Sequence, residues 1–298
     1  MMSWKGFLVY AFVMMLSAAS FGQANILNAK KPDDIGKKSE TQALVDAEDK
    51  PLEYGYVGER DILWSKGTWE IIDLDERVNF PLYYPIDTNN IGTNRRSLYD
   101  VLVGAIKKGK IQNIYADSYF TEKRTLKDIR GTLSKIDTTD LGIEQYNAGE
   151  EVDEQFIDRR DLGSADIVEY HIRGLWYFDK RLAELKYRLL GIAPVAPDVN
   201  FIDSGQTDLV ELFWVWYPDA REVLHEAKVF TGGNTSQTVS FDHLLNARRF
   251  SGVIYKEDNV QGDRSIDEYI ADNAFMQLLE SQRIKEQIRN FEQDMWSY

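Results

Sequence analysis

The sequence predicts an α+β fold in which two small mixed modules lie between an extended N-terminal arm and a long C-terminal helix. Three observations predict it. Aromatic, β-rich runs occur in two separate stretches, each followed by apolar residues at helical spacing. A set of short motifs recurs in both stretches. The last part of the chain, from Ser265 to Trp296, carries an apolar stripe and contains neither glycine nor proline. The expected segments are 1–22, a signal peptide; 23–53, a flexible arm; 54–130, the first α+β module; 131–165, an acidic connector; 166–262, the second module; and 263–298, the amphipathic helix.

The N-terminus sets the compartment. Lys5 precedes an apolar run from Phe7 to Ala19 that ends in small residues, and Ser20-Phe21-Gly22 places cleavage before Gln23. A spanning helix needs about 20 apolar residues, so the alternative of an uncleaved anchor fits less well. No later stretch is apolar enough to span a bilayer. The chain has no cysteine, which excludes a lipid anchor on cysteine and any disulfide, so burial alone must stabilise the fold. The net charge is −14, and losing Lys5 with the signal leaves −15. Such a surface repels nucleic-acid phosphates and steers basic partners towards it.

Ala24 to Lys50 is rich in Lys, Asp and Ala and too poor in apolar residues to order itself, which fits either a tether or an arm ordered by a neighbour. From Tyr54 the chain turns aromatic. Asp61-Ile62-Leu63-Trp64 and Thr68 to Asp73 read as core, and Phe80-Pro81-Leu82-Tyr83-Tyr84-Pro85 reads as extended, bracketed by prolines. Leu98, Val101, Leu102, Ala105 and Ile106 predict a helix capped by Ser97 and ended by Lys107, Lys108 and Gly109. Asp137, Asp140, Glu144, Glu150, Glu151, Asp153, Glu154, Asp158 and Asp161, against Arg159 and Arg160, read as a solvated connector without the ligand spacing of a calcium loop.

Val168, Tyr170 and Ile172 alternate with polar residues as in a half-buried strand. Leu175 to Ile192 fits helix or strand; Gly191, Pro194 and the aromatic surroundings favour a hairpin turning near Asp179 to Ala183. Glu211 to Tyr217 continues the sheet, and Pro218 opens a helix. Ser265 and Glu268 form a capping-box pattern, followed by Phe275, Leu278, Leu279, Ile284, Ile288, Phe291 and Met295 at helical spacing. That stripe must be covered, by the chain's own domain or by a partner.

The motif recurrence suggests duplication, with chance as the other reading. Asp100-x-Leu102-Val103-x-Ala105 matches Asp242-x-Leu244-Leu245-x-Ala247. Ser97 and Ser240, Ile114-Tyr115 and Ile254-Tyr255, Tyr84-Pro85 and Tyr217-Pro218, and Gly67-x-Trp69 and Gly174-x-Trp176 accompany it.

Catalytic signatures are missing. His171, His225 and His243 stand at no metal-ligand spacing, and Val229 occupies the place of a zincin's second histidine. There is no phosphate loop, nucleophile elbow or cysteine nucleophile. No cofactor, metal or catalytic residue is expected. Paired carboxylates leave a periplasmic glycan-binding or glycan-hydrolysing protein as the alternative, because a glycosidase needs only two acids placed by the fold. The residues expected to bind partners are Phe275, Leu279, Ile284, Ile288, Phe291 and Trp296 on the tail. Lys107, Lys108, Arg248 and Arg249 join them as basic poles of an acidic molecule, suited to head-to-tail self-association.

Asp61-Ile62-Leu63-Trp64-Ser65-Lys66 with Trp69 and Ile72-Asp73-Leu74, Pro81-Leu82-Tyr83-Tyr84-Pro85, and Ser97-Leu98-Tyr99-Asp100 carry a resemblance. So do Leu212-Phe213-Trp214-Val215, Arg248-Arg249-Phe250-Ser251, Ile254-Tyr255-Lys256-Glu257 and the tail from Arg283-Ile284-Lys285 through Ile288, Asn290-Phe291-Glu292 and Asp294 to Trp296. In this order they resemble the GldN (PorN) family of gliding-motility and type IX secretion proteins of Bacteroidota. The resemblance implies a non-enzymatic periplasmic subunit at the inner face of the outer membrane. It implies a ring with an outer-membrane lipoprotein, GldK (PorK), further copies of itself, and contact with the inner-membrane-anchored GldM (PorM).

Overall fold

The computed structural model describes residues 49–88, 95–149, 153–199, 208–229 and 239–296. The expected signal peptide, most of the expected arm, and Glu150 and Glu151 lie outside the described residues. In chain order the elements are β1 (Ile62–Asp73), α1 (Phe80–Tyr83), α2 (Leu98–Lys107), β2 (Ile114–Tyr115), α3 (Leu126–Leu133), β3 (Ser134–Thr138), α4 (Asp140–Asn147) and β4 (Ile157–Asp161). There follow β5 (Glu169–Asp179), β6 (Glu184–Pro197), β7 (Leu209–Glu211), β8 (Trp214–Trp216), α5 (Tyr217–Glu226), β9 (Lys228–Val229), β10 (Val239–Ser240), α6 (Phe241–Asn246), β11 (Val253–Glu257), α7 (Ile266–Tyr269) and α8 (Ala274–Trp296). The α+β class and the long C-terminal helix are as the sequence predicts.

Seven strands form one antiparallel sheet in the order β11-β1-β5-β6-β8-β2, with β7 also on β6. The centre is the β5/β6 hairpin, closed where the Asp179 carboxylate accepts from the Arg181 N–H at 3.0 Å. Side-chain alternation then assigns two faces. One carries Ile72, Ile172 and Ile192, packed under Leu98 and Leu102 of α2, Leu224 of α5 and Leu245 of α6. The other carries Trp69, Ala193 and Trp214, all fully buried, under Tyr115, Phe120 and Tyr255. The 116–122 loop covers this second face. Asp117 accepts from the backbone N–H of Tyr119, Thr121 and Glu122, and Phe120 lies over Gly191, where a Cβ would come within 2.5 Å of its ring.

Helices α5 and α6 are joined by a buried polar cluster. Arg221 donates to both oxygens of Asp242 at 2.9 and 3.1 Å, and the Tyr217 hydroxyl donates to Asp242 Oδ1 at 2.9 Å. A charge pair this deep persists because both carboxylate oxygens are hydrogen-bonded to the guanidinium; removal of one partner would strand the other.

The strands of 54–130 and of 166–262 share this sheet, and the way they share it is regular. The strand order reads alike from either edge. Each edge strand follows a short helix capped by serine: Ser97 accepts from the Asp100 N–H at 3.2 Å and Ser240 from the His243 N–H at 3.1 Å. Edge strand β2 lies against β8 and its Trp214, and edge strand β11 against β1 and its Trp69. Thus β1-α2-β2 and β8-α5-α6-β11 each run from an inner strand through a serine-capped helix to an edge strand on the opposite side of the sheet. The Gly-x-Trp match does not fit that plan, because Gly174 lies directly opposite Thr68 in the β1/β5 ladder. Trp214, not Trp176, lies like Trp69 on the strand next to an edge strand.

Three local expectations need correction. Phe80–Tyr83 is helical, with Pro81 in the first turn, where a missing N–H costs nothing; the chain becomes extended only at Tyr84. The acidic stretch is not a bare connector, because β3 and β4 pair along their length and α4 lies between them. The tail is broken: α7 ends at Tyr269, Asp272 has a φ of 58°, and Asn273 caps α8 by accepting from the Met276 N–H at 3.0 Å. Ser265 makes no side-chain cap and instead bridges to Lys256 of β11. Asp and Asn bond the local backbone readily, and here that chemistry outweighs helix continuation.

A close approach on the helix-covered face supplies a test. A Cβ on Gly174 would stand 2.1 Å from the Tyr187 hydroxyl oxygen, so Gly174→Ala should lower unfolding free energy by about 1–3 kcal/mol, the usual cost of overpacking. Urea denaturation followed by tryptophan fluorescence measures it; an unchanged midpoint would contradict the packing described.

Candidate functional site

The C-terminal helix divides into a covered part and an uncovered part. Ile284 and Ile288 are buried among Ile254, Ile266, Trp64 and Trp176. Phe291 stacks on Trp64 at 4.7 Å and meets the edge of Phe178 at 5.9 Å. Ser281 is buried too, and its hydroxyl accepts the Ile254 N–H at 2.9 Å. That bond engages a donor of edge strand β11, so the helix closes an edge that could otherwise pair with another chain. Positions 281, 284, 288 and 291 fall on one helical stripe, which is why they act together.

Towards its start, α8 leaves large apolar side chains uncovered. Phe275 is 67% exposed, Leu278 53% and Leu279 47%, with Met276 beside them. Trp296 at the far end is also exposed. The residues expected to bind partners therefore separate: Ile284, Ile288 and Phe291 serve the chain's own core, while Phe275, Leu279 and Trp296 face outward.

The basic residues separate as well. Lys107, Lys108 and Arg249 are exposed. Arg248, in contrast, adopts a left-handed φ of 51° that turns its side chain inward. Its Nη2 donates to Glu70 Oε2 at 2.7 Å, and its guanidinium lies 4.2 Å from the Tyr187 ring centre and 5.1 Å from that of Trp176. Its place in a surface basic pole is thereby overturned. Glu70 is 178 positions away in sequence, and no local pattern signals the pairing.

Beside the uncovered start of α8, a groove of about 630 Å³ is lined by Ile71, Val195, Leu209, Val253 and Leu278, with Glu169, His171 and Glu211 at one side. His171 is held from both ends, Nδ1 at 2.7 Å from Glu211 and Nε2 at 2.9 Å from Glu169. The Trp214 indole donates to the other Glu211 oxygen at 2.6 Å. Burial alone would lower the His171 pKa, but the hydrogen bonds and charges of the two glutamates outweigh it and raise it to about 9. At neutral pH the ring is an imidazolium with both N–H groups committed, so it cannot serve as a general base. Burial opposes ionisation of Glu211, yet its bonds to His171 and Trp214 hold its pKa below the ordinary value. A glycosidase acid needs a raised one. Among the described residues no group of three or more His, Cys, Asp or Glu is placed to hold a metal ion, and no helix is long and apolar enough to cross a membrane. Glu169 and His171 share a strand face at i, i+2, a signal visible in sequence; Glu211, forty positions on, is supplied by the fold.

The raised pKa fixes a pH dependence. A group bound more tightly to its proton in the folded state stabilises fully below its unfolded value of about 6.5 and loses that contribution as pH rises through the folded value. Chemical denaturation should therefore show stability falling between pH 6.5 and about 9, and His171→Gln should flatten that slope. An equal slope in the variant would contradict the assignment.

A search of curated proteins returns no match. The model of the family described as "Gliding motility associated protein GldN" matches residues 57–297, a span that contains the whole sheet, the helices on it and all of α8. The chain therefore belongs to the GldN family, whose members are components of the gliding-motility and type IX secretion machinery.

Proposed function

We propose that the chain is a periplasmic structural subunit of the type IX secretion and gliding machinery. In this reading it forms a ring of copies with an outer-membrane lipoprotein of the GldK/PorK type and contacts an inner-membrane-anchored protein of the GldM/PorM type. Family membership supports the setting. The observation that carries the structural role is the uncovered start of α8. A long helix is anchored by its later turns, while Phe275, Leu278 and Leu279 stay in water. Each large apolar side chain left exposed forgoes roughly 1.5–3 kcal/mol that a partner surface would recover. The groove beside them adds apolar area, and the acidic surface favours a basic partner face. Exposed Lys107 and Lys108 supply the opposite sign for contact between copies.

The test is purification of the envelope complex. Phe275→Ser with Leu279→Ser should abolish co-purification of partners and leave far-UV circular dichroism and the melting temperature of the isolated protein unchanged. Lys107→Glu with Lys108→Glu should reduce the size of the assembly and make what remains less sensitive to added salt, because the screened attraction is gone. Retention of full-sized complexes by both variants would overturn the reading.

A further inference from the structure

The excursion between α3 and β5 ends in a helix that the fold leaves uncovered. Leu133 and Leu162 are buried in the main core, and from there β3 and β4 pair from Ser134 against Asp161 out to Thr138 against Ile157. At about 3.3 Å per residue, that ladder carries its far end roughly 16 Å from its root. Helix α4 sits at the far end. The Thr139 N–H donates to the Phe156 carbonyl at 2.9 Å, and Gln145 Oε1 accepts the Asp153 N–H at 3.2 Å. The apolar side chains of α4 take no part in this anchoring: Leu141, Ile143 and Tyr146 are all exposed, Tyr146 by 73%. Ile143 and Tyr146, three positions apart, are neighbours on the helix surface. An apolar group held out on an arm adds little to the fold and has the form of a contact for another molecule.

Charge indicates which molecule. Between Thr139 and Phe156 there are six acidic residues and no basic one, and Glu144 on α4 is exposed, with no ion pair among the described residues. The surface that answers this tip stands just before the ladder. Lys123 to Arg130 holds four basic residues against Asp128. Asp128 is engaged in capping α3, accepting from the Thr125 N–H at 2.8 Å and the Thr125 hydroxyl at 2.7 Å. Ile129 and Leu133 turn one side of α3 into the core, which leaves Leu126, Arg130 and Lys127 together on an exposed flank. Neither Lys127 nor Arg130 has an ion pair among the described residues. On a chain of net −14 this flank matches the tip in both respects, basic against acidic and apolar against apolar. Within one copy the ladder holds the two apart, and both stay exposed.

We propose that the α4 tip of one copy docks on the α3 flank of a second copy. Tyr146, Ile143 and Leu141 pack around Leu126, Glu144 pairs with Arg130, and Lys127 borders the other acidic residues of the tip. The proposal rests on the reading that copies of the chain assemble with one another, and adds which surfaces meet. Two different surfaces of one chain that fit each other make a heterologous contact, which repeats from copy to copy.

The experiment is sedimentation velocity of the purified protein at high micromolar concentration. The wild type should self-associate at low salt and weaken as sodium chloride approaches about 1 M, where screening acts beyond ~3 Å. Tyr146→Ser should weaken association about tenfold or more. Glu144→Arg and Arg130→Glu should each weaken it about fivefold or more. All three side chains are exposed, so circular dichroism and Tm should stay as in the wild type. Mixing the Glu144→Arg protein with the Arg130→Glu protein should restore association, because a reversed tip then meets a reversed flank. Phe275→Ser with Leu279→Ser should leave self-association unchanged, which separates this contact from the surface on α8. A wild type that stays monomeric at low salt, unchanged association of the Tyr146→Ser or Arg130→Glu protein, or no recovery on mixing would overturn the proposal. A protein that passes these tests yet is absent from the envelope complex supports the contact and counts against the wider reading alone.

Discussion

An antiparallel sheet with two apolar faces and an open edge has to be covered on every one of those sides, and that requirement governs the rest of the molecule. Helices α2, α5 and α6 cover one face, and the 116–122 loop with Phe120 covers the other. Helix α8 completes the first face through Ile284 and Ile288 and closes β11 through Ser281. The tail is thus structural from Ser281 to Phe291. What remains at Phe275, Leu278 and Leu279 is surplus to folding, which is why it reads as a surface for others. Because β1 and β11 are 180 residues apart in the chain yet adjacent in the sheet, folding must bring distant segments together before α8 has a surface to dock on.

The interior carries an unusual share of charge for so aromatic a core. Arg248 with Glu70, Arg221 with Asp242 and His171 with Glu169 and Glu211 are each held by hydrogen bonds as well as opposite charge. Such pairs add little net stability over apolar residues of the same shape, but they punish a misplaced strand or helix severely, because one partner would be left buried alone. Each pair also joins elements distant in sequence: Arg248 reaches β1 from the turn after α6, and Glu211 reaches β5 from β7. They act as register marks for a sheet whose neighbouring strands come from distant parts of the chain. A cleft next to Arg248 and the groove next to His171 both lie where these fixed charges meet apolar walls.

What could be read in the chain beforehand depended on how local the cause was. The Ser97 cap, the hairpin turning at Asp179–Ala183 and the helix opened by Pro218 all arise from neighbours in sequence, and all three occur where the pattern puts them. The break at Asp272 and Asn273 also had a local cause in the two side chains themselves, but an uninterrupted apolar stripe masked it. The recurring motifs were legible, whereas the place of Trp214 beside an edge strand, like that of Trp69, needed the strand order. Arg248 looked like half of a surface Arg-Arg pair because nothing within reach in sequence announces Glu70. The split of the tail into used and unused residues was likewise invisible, since Phe275 and Ile288 are both apolar residues on the same helix and differ in whether the fold covers them.

The most direct measurement is amide hydrogen exchange along α8 in the isolated protein and in the purified envelope complex. The account predicts that residues 281–291 are already protected in isolation, that residues 274–280 exchange fast there, and that assembly slows only the latter. Uniform protection of the whole helix in isolation, or equal exchange at its start in both states, would contradict it.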